Sequence, residues 1–166
     1  MDIRVTSPFP AAAWPRVWSW TEDFRSRVAD DFGPKTLAAF VELQLEVEAK
    51  RKTWAIYRDG ELCGTASFMV SMSPETGEAH AIFRKDFWGR DTTHTAMRMV
   101  CAELFASGIH KVVMMPFRDN NAMVALCKQL GFEKEGVLRE TTRRGGLLVD
   151  MAVMGLTKGD FEKCLG

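Results

Sequence analysis

Two side chains that exchange protons readily, Glu78 and His80, stand two positions apart in a stretch whose alternation predicts a β-strand ending near Phe83. Strand side chains point to alternate faces, so this carboxylate and imidazole share one face and form a candidate proton-accepting pair. Each has a plainer alternative, Glu78 as a solvated residue at the strand start and His80 as a hydrogen-bonded surface histidine. Shortly afterwards comes Trp88-Gly89-Arg90-Asp91-Thr92-Thr93, followed by a helical run to Ser107. A strand, tight turn and helix in this order leave the first helical N–H groups unpartnered at the positive end of the helix dipole, which suits a phosphate or another anion. Asp91 opposes that use. Turned outward it leaves the terminus free; turned inward it caps the same N–H groups that an anion needs. Arg84, Lys85, Arg90 and Arg98 lie close by in sequence and offer compensating charge.

Other chemistries have less support. Cys63, Cys101, Cys127 and Cys164 are widely separated and none forms a Cys-x-x-Cys pair, so reduced, mostly buried thiols are expected. Cys127 has no histidine or acid at a readable spacing to activate it as a nucleophile. The three histidines, His80, His94 and His110, show no His-x-x-x-His spacing, and no metal centre is expected. Basic and acidic residues number 22 each, so no net charge draws the chain to nucleic acid or an anionic membrane. No apolar run approaches a membrane span, and Met1-Asp2-Ile3-Arg4 lacks a leader's pattern; a cytoplasmic protein is expected.

A chain of 166 residues fits a single domain, 1–166, of mixed α/β class. The expected order is a short strand over Asp2–Thr6 and a helical region from Ala11 to Phe32, broken near Pro15. A helix capped by Thr36 follows, with Leu37, Phe40, Val41 and Leu45 as its apolar stripe. Two strands around Asp59-Gly60 form a hairpin, Glu78–Phe83 adds a third to the meander, and the junction helix ends at Ser107-Gly108. Lys111–Phe117 is a strand parallel to Glu78–Phe83. A helix closed by Gly131-Phe132, two strands joined through Arg143-Arg144-Gly145-Gly146 and a final short helix complete the chain. That tip reads as a solvated turn or as a mobile hairpin able to meet an acidic acceptor. Trp18 and Trp20 cannot both face inward on one helix, which leaves one to line a cleft or a dimer contact.

Several motifs in order resemble one family: Asp59-Gly60-Glu61-Leu62-Cys63-Gly64, Phe83 before Trp88-Gly89, Asn120 ahead of Leu130-Gly131-Phe132, Gly136-Val137-Leu138-Arg139 and Asp150. This set is similar to the GNAT superfamily of acyl-CoA N-acyltransferases, nearest to its ribosomal-protein N-terminal acetyltransferase branch. The resemblance implies a mostly antiparallel sheet, flanked by helices and splayed between its fourth and fifth strands. It implies acetyl-CoA as cofactor, its pantetheine paired along Ala81, Ile82, Phe83 and Arg84 and its pyrophosphate on the backbone of Trp88, Gly89, Arg90, Asp91, Thr92 and Thr93. It also places Asn120 on the pantetheine arm and Cys127 near the thioester sulfur. Direct acetyl transfer to a primary amine follows, with a small amine or a protein N-terminus as acceptor and Glu78 or His80 as base. The family's phosphate loop carries glycine where this chain has Asp91. Many relatives have a tyrosine proton donor near position 127, whereas the one tyrosine here is Tyr57. The alternative is a GNAT-like scaffold whose degenerate loop has made it a binding or interaction module; a homodimer is left open.

Overall fold

The computed structural model describes residues 1–164, apart from the side chain of Arg90. The chain begins with β1 (Ile3–Thr6), then three helical pieces, α1 (Trp14–Trp20), α2 (Arg25–Val28) and α3 (Leu37–Glu48). The meander β2 (Lys52–Arg58), β3 (Glu61–Ser73) and β4 (Thr76–Phe83) leads into α4 (Thr95–Ala106). After it come β5 (Lys111–Met114), α5 (Asn121–Gln129), β6 (Glu133–Arg144), β7 (Leu147–Thr157) and α6 (Lys158–Lys163). The strands make one sheet in the order β1-β2-β3-β4-β5-β7-β6. Only the β4–β5 pair is parallel.

Alternation along the strands divides the apolar residues between two faces. Trp54, Ile56, Phe68, Ala79 and Phe83 meet Met97, Val100 and Leu104 of α4 in the larger core. Ala55 and Leu62 meet Phe9, Trp14, Val17 and Phe40 in the smaller one. Asp59 and Gly60 take φ of 50° and 83°, the left-handed pair that a two-residue hairpin requires. Thr36 Oγ1 accepts the Ala39 N–H at 3.2 Å and caps α3 as expected.

Two expectations are corrected. Pro15 does not break the first helical region; it lies in the first turn of α1, where its missing N–H costs nothing. The interruption comes after Trp20, because the Trp18 carbonyl takes the Thr21 N–H at 3.2 Å together with Thr21 Oγ1 at 2.8 Å and Arg25 Nη2 at 2.7 Å, and the Glu22 N–H that would continue the helix turns to Ser19 instead. α3 is also rotated from its expected face: Phe40 and Gln44 are buried, while Leu37 and Leu45 are 42% and 49% exposed. Phe40 sets this rotation by packing against Trp14 and Trp18, with ring centroids 6.1 and 5.2 Å away.

β4 and β5 pair over three positions only, Thr76 with Lys111, Gly77 with Val112 and Glu78 with Val113. β4 then continues to Phe83 against β3 alone, so the sheet opens beyond Glu78. No described helix is long and apolar enough to cross a membrane.

Candidate active site

The opening is lined by backbone. Phe83 lies opposite Gly64, and the Arg84 N–H donates to the Cys63 carbonyl at 2.9 Å. Successive residues of an antiparallel ladder direct their N–H and C=O groups to opposite sides. With Arg84, and therefore Ile82, turned toward β3, the groups of Ala81 and Phe83 face the opening, where no strand lies opposite them. A close approach holds this edge in place: a Cβ at Gly64 would stand 2.6 Å from the Phe83 ring, so only glycine lets that ring lie over β3. Trp88 Nε1 donates to the Phe83 carbonyl at 2.9 Å, and the indole meets Phe24 edge-on at 5.0 Å.

At the start of α4, Gly89 has φ 143° and a Cβ there would have nothing within 4 Å, so the loop bares its backbone to the opening's rim. Residues Arg90–His94 form a wide π-turn, a shape common at functional sites. Thr93 closes it, its N–H and hydroxyl donating to the Gly89 carbonyl at 3.1 and 2.7 Å. Among the described residues no side chain caps this terminus, and Asp91 is exposed in its first turn. Of the two orientations open to Asp91, the outward one is therefore observed. The side chain of Arg90 lies outside the described residues.

The cations are arranged differently from expectation. Arg84, counted as compensating charge, is bidentate to Asp86 at 2.7 and 2.6 Å and bonded to Glu61 at 2.6 Å. These two carboxylates raise its pKa, Asp86 first, and the pairing holds the Asp86 carboxyl below its usual range. Arg58 takes the place beside the loop, donating to the buried Thr92 hydroxyl at 2.8 Å. No spacing rule links two residues 34 positions apart. His94 is bound at 3.1 Å to the carbonyl of Gln129 at the end of α5.

Glu78 is the last β4 residue paired with β5 and so stands at the apex of the opening. His80 Nε2 is 3.1 Å from Glu78 Oε1, and the two share the sheet face opposite α4. The imidazole is 64% exposed and the carboxylate 18%. Asn120 is half-buried at the start of α5, its Oδ1 taken by the Met123 N–H at 3.2 Å and its amide nitrogen left as a donor. Cys127 is enclosed in the core with Met114 Sδ 3.9 Å from its sulfur, and burial pushes its thiol up to about 12. A thiol so shifted is neither a ready nucleophile nor a useful acid.

A strap that no local pattern announced connects the last hairpin to the segment after α2. Asp31 accepts the N–H groups of Gly145 and Gly146 at 2.8 and 2.7 Å, and its own N–H donates to the Arg143 carbonyl at 2.7 Å. Asp30 takes the Thr142 hydroxyl at 3.0 Å, and Arg144 pairs with Asp119 beside Asn120. The hairpin tip is therefore an exposed turn that is tied through its backbone to Asp31.

The site combines an open strand edge, an uncapped helix start at one end and a carboxylate–imidazole pair at the other. It can hold an extended, amide-containing chain with an anionic end, and receive a proton near the opposite end. A family model of the acetyltransferase (GNAT) domain matches residues 8–133. The chain belongs to the GNAT acetyltransferase family. This GNAT enzyme is 25% identical over 122 residues to "Uncharacterized N-acetyltransferase p20" of Bacillus licheniformis, which covers 72% of this chain and 68% of that protein. RimJ of Mycobacterium smegmatis, solved in complex with CoA-disulfide, superposes with a TM-score of 0.81 at 17% identity, covering 95% of this chain and 83% of that one. Spermidine N-acetyltransferase from Vibrio cholerae, solved with CoA and spermine, gives 0.82 at 14%, covering 96% and 98%. At these identities the structures share a fold, and the expected GNAT sheet, splayed between its fourth and fifth strands, is the one found.

The strap yields a prediction. The N–H groups of Gly146 and Gly145 hold the Asp31 carboxyl below its ordinary value of 3.8. A depressed folded-state value means that its stabilisation is complete above the ordinary value and is lost as pH falls through the lowered one. The amide resonances of Gly145 and Gly146 are expected to titrate together with a midpoint below 3.8, and Asp31→Ala to abolish that titration and speed their hydrogen exchange at neutral pH. Flat shifts across the acid range, or unchanged exchange in the variant, would show that the tip is held by something else.

Proposed function

We propose that this chain is an acetyl-CoA-dependent N-acetyltransferase that moves the acetyl group directly to a primary amine, with residues 1–166 acting as a single cytoplasmic domain. The observation that carries the reading is the free backbone edge of β4 beyond Glu78, ending at an uncapped helix start. A pantetheine arm has amide groups to pair with such an edge, and a diphosphate suits N–H groups at the head of α4. The residues present fit this carrier: the Gly89 backbone is open, Asp91 is exposed and Asn120 has a donor to spare. When bound, acetyl-CoA supplies an activated acyl carbonyl.

The chain's own groups would act on the bound reactants as follows. The Ala81 N–H, directed into the opening, donates to the acyl oxygen as negative charge develops there. Glu78 and His80 take the proton that an amine must lose to become nucleophilic, the half-buried carboxylate orienting the exposed imidazole. Cys127, buried and pushed up to about 12, does not protonate the leaving thiolate, which departs into solvent and takes up there a proton equivalent to the one lost by the amine. Arg58, set against Thr92, steadies the helix start. An amine acceptor is supported by the V. cholerae neighbour, solved with spermine, and by ribosomal-protein-alanine N-acetyltransferase from Brucella melitensis at a TM-score of 0.76; a small amine and a protein N-terminus are the two acceptor classes.

Acetyl-CoA at one hundred times its Kd should stabilise the fold by about 2.7 kcal/mol, a rise in Tm of roughly 5–10 °C. Absence of both calorimetric heat and any Tm change at millimolar acetyl-CoA would contradict the reading and favour an interaction module. With an accepted amine, Glu78→Gln should lower kcat about 100-fold with little effect on acetyl-CoA affinity. An unchanged kcat would remove Glu78 from proton transfer.

A further inference from the structure

The carbonyl of Phe83 is a main-chain acceptor in the open half of β4, and it is occupied from within the chain. The Trp88 indole reaches back to it at 2.9 Å, lying across the edge where an extended chain would pair. Without that bond the carbonyl would face a half-buried opening with no strand to satisfy it, a costly position for a backbone group. The indole thus finishes the β4 edge in the free protein, as a strand edge must be finished if it is not to pair at random. It is also free to leave. Trp88 is 47% exposed and has Phe24 at its edge, and the next residue is Gly89 at φ 143° with open space around it. The hydrogen bond to Phe83 and the edge-on contact with Phe24 are what hold the ring.

We infer that Trp88 is the gate of the carrier groove, its indole N–H holding the Phe83 carbonyl until an amide N–H of the incoming acyl-CoA arm replaces it. The inference rests on the acyl-CoA reading and specifies how that site is regulated. An amide approaching as a neighbouring strand comes to the same carbonyl oxygen that the indole holds. Arm and indole therefore compete, and every binding event exchanges one hydrogen bond for another at the same oxygen. Binding consequently proceeds with less net gain than the open edge alone offers. In return, the free carbonyl is never presented to another strand. The loop that receives the diphosphate and the strand that receives the pantetheine are joined by this one side chain, so the anionic end can loosen the gate as it docks beside Gly89.

Trp88→Phe keeps an aromatic ring beside Phe24 and removes the donor. Titration of coenzyme A into both proteins by calorimetry should show the variant binding about 5-fold more tightly, the equivalent of one ordinary hydrogen bond no longer displaced. A purely structural role for Trp88 gives the opposite sign, because a loosened loop binds more weakly. In the wild-type protein the indole N–H resonance of Trp88, identified by its absence from the variant, should be protected from solvent exchange and should shift or lose protection on saturation with coenzyme A. If the wild type binds and Trp88→Phe binds equally or more weakly, or if the Trp88 indole resonance stays in place on saturation, the gate is refuted while the acyl-CoA reading stands. If the wild type binds no coenzyme A, both fall together. The resonance test needs only the wild-type fold, so it decides the matter even where the variant is unstable.

Discussion

An accounting of backbone hydrogen bonds on β4 governs much of this molecule. The strand is paired with β3 along its length but shares only three register positions with β5, and the remaining groups on its outer side must be satisfied by something other than a neighbouring strand. β5 diverges because it stops at Met114 and its chain turns off through Phe117, which bridges to Met151 of β7 instead. The free protein answers part of the demand with a tryptophan side chain. On the proposed reading a bound carrier would answer more of it with its own amides. The opening is therefore a place where the sheet lacks one extended chain, and the Glu78–His80 pair stands where the two strands part.

Electrostatics at the head of α4 follows the same economy. The helix start offers N–H groups and a positive dipole end, and an acidic residue there has two uses, as an internal cap or as an outward side chain. Asp91 is exposed and caps no N–H among the described residues, so the helix start stays open to the proposed anion despite the loss of the family's glycine. A cation that the sequence neighbourhood did not suggest reaches this helix start: Arg58 arrives from the end of β2 and grips Thr92, while Arg84, only a few positions from the loop, is held by Asp86 and Glu61.

What could be read in the sequence was what local chemistry decides. The Asp59-Gly60 hairpin, the Thr36 cap, the strand–turn–helix junction and the parallel order of β4 and β5 each depend on a few adjacent residues or on a chain-order rule, and all are found. Glu78 and His80 were legible as face-sharing neighbours for the same reason. Features decided by tertiary contact were not. α3 presents Gln44 inward instead of Leu45 because Phe40 is drawn to two tryptophans on another helix. The strap from Asp31 to Gly145 and Gly146 joins residues more than one hundred positions apart, and its glycines look like any turn until a carboxylate is found beneath them.

The central claim is that the outer edge of β4 and the head of α4 together form one carrier site. A crystal structure of the protein grown with coenzyme A tests it most directly. The account predicts pantetheine amides paired with Ala81 and Phe83, the diphosphate on the N–H groups from Gly89 to Thr92, and Asp91 still turned to solvent. Coenzyme A bound elsewhere, or an Asp91 carboxylate seated on those N–H groups with the groove empty, would contradict it.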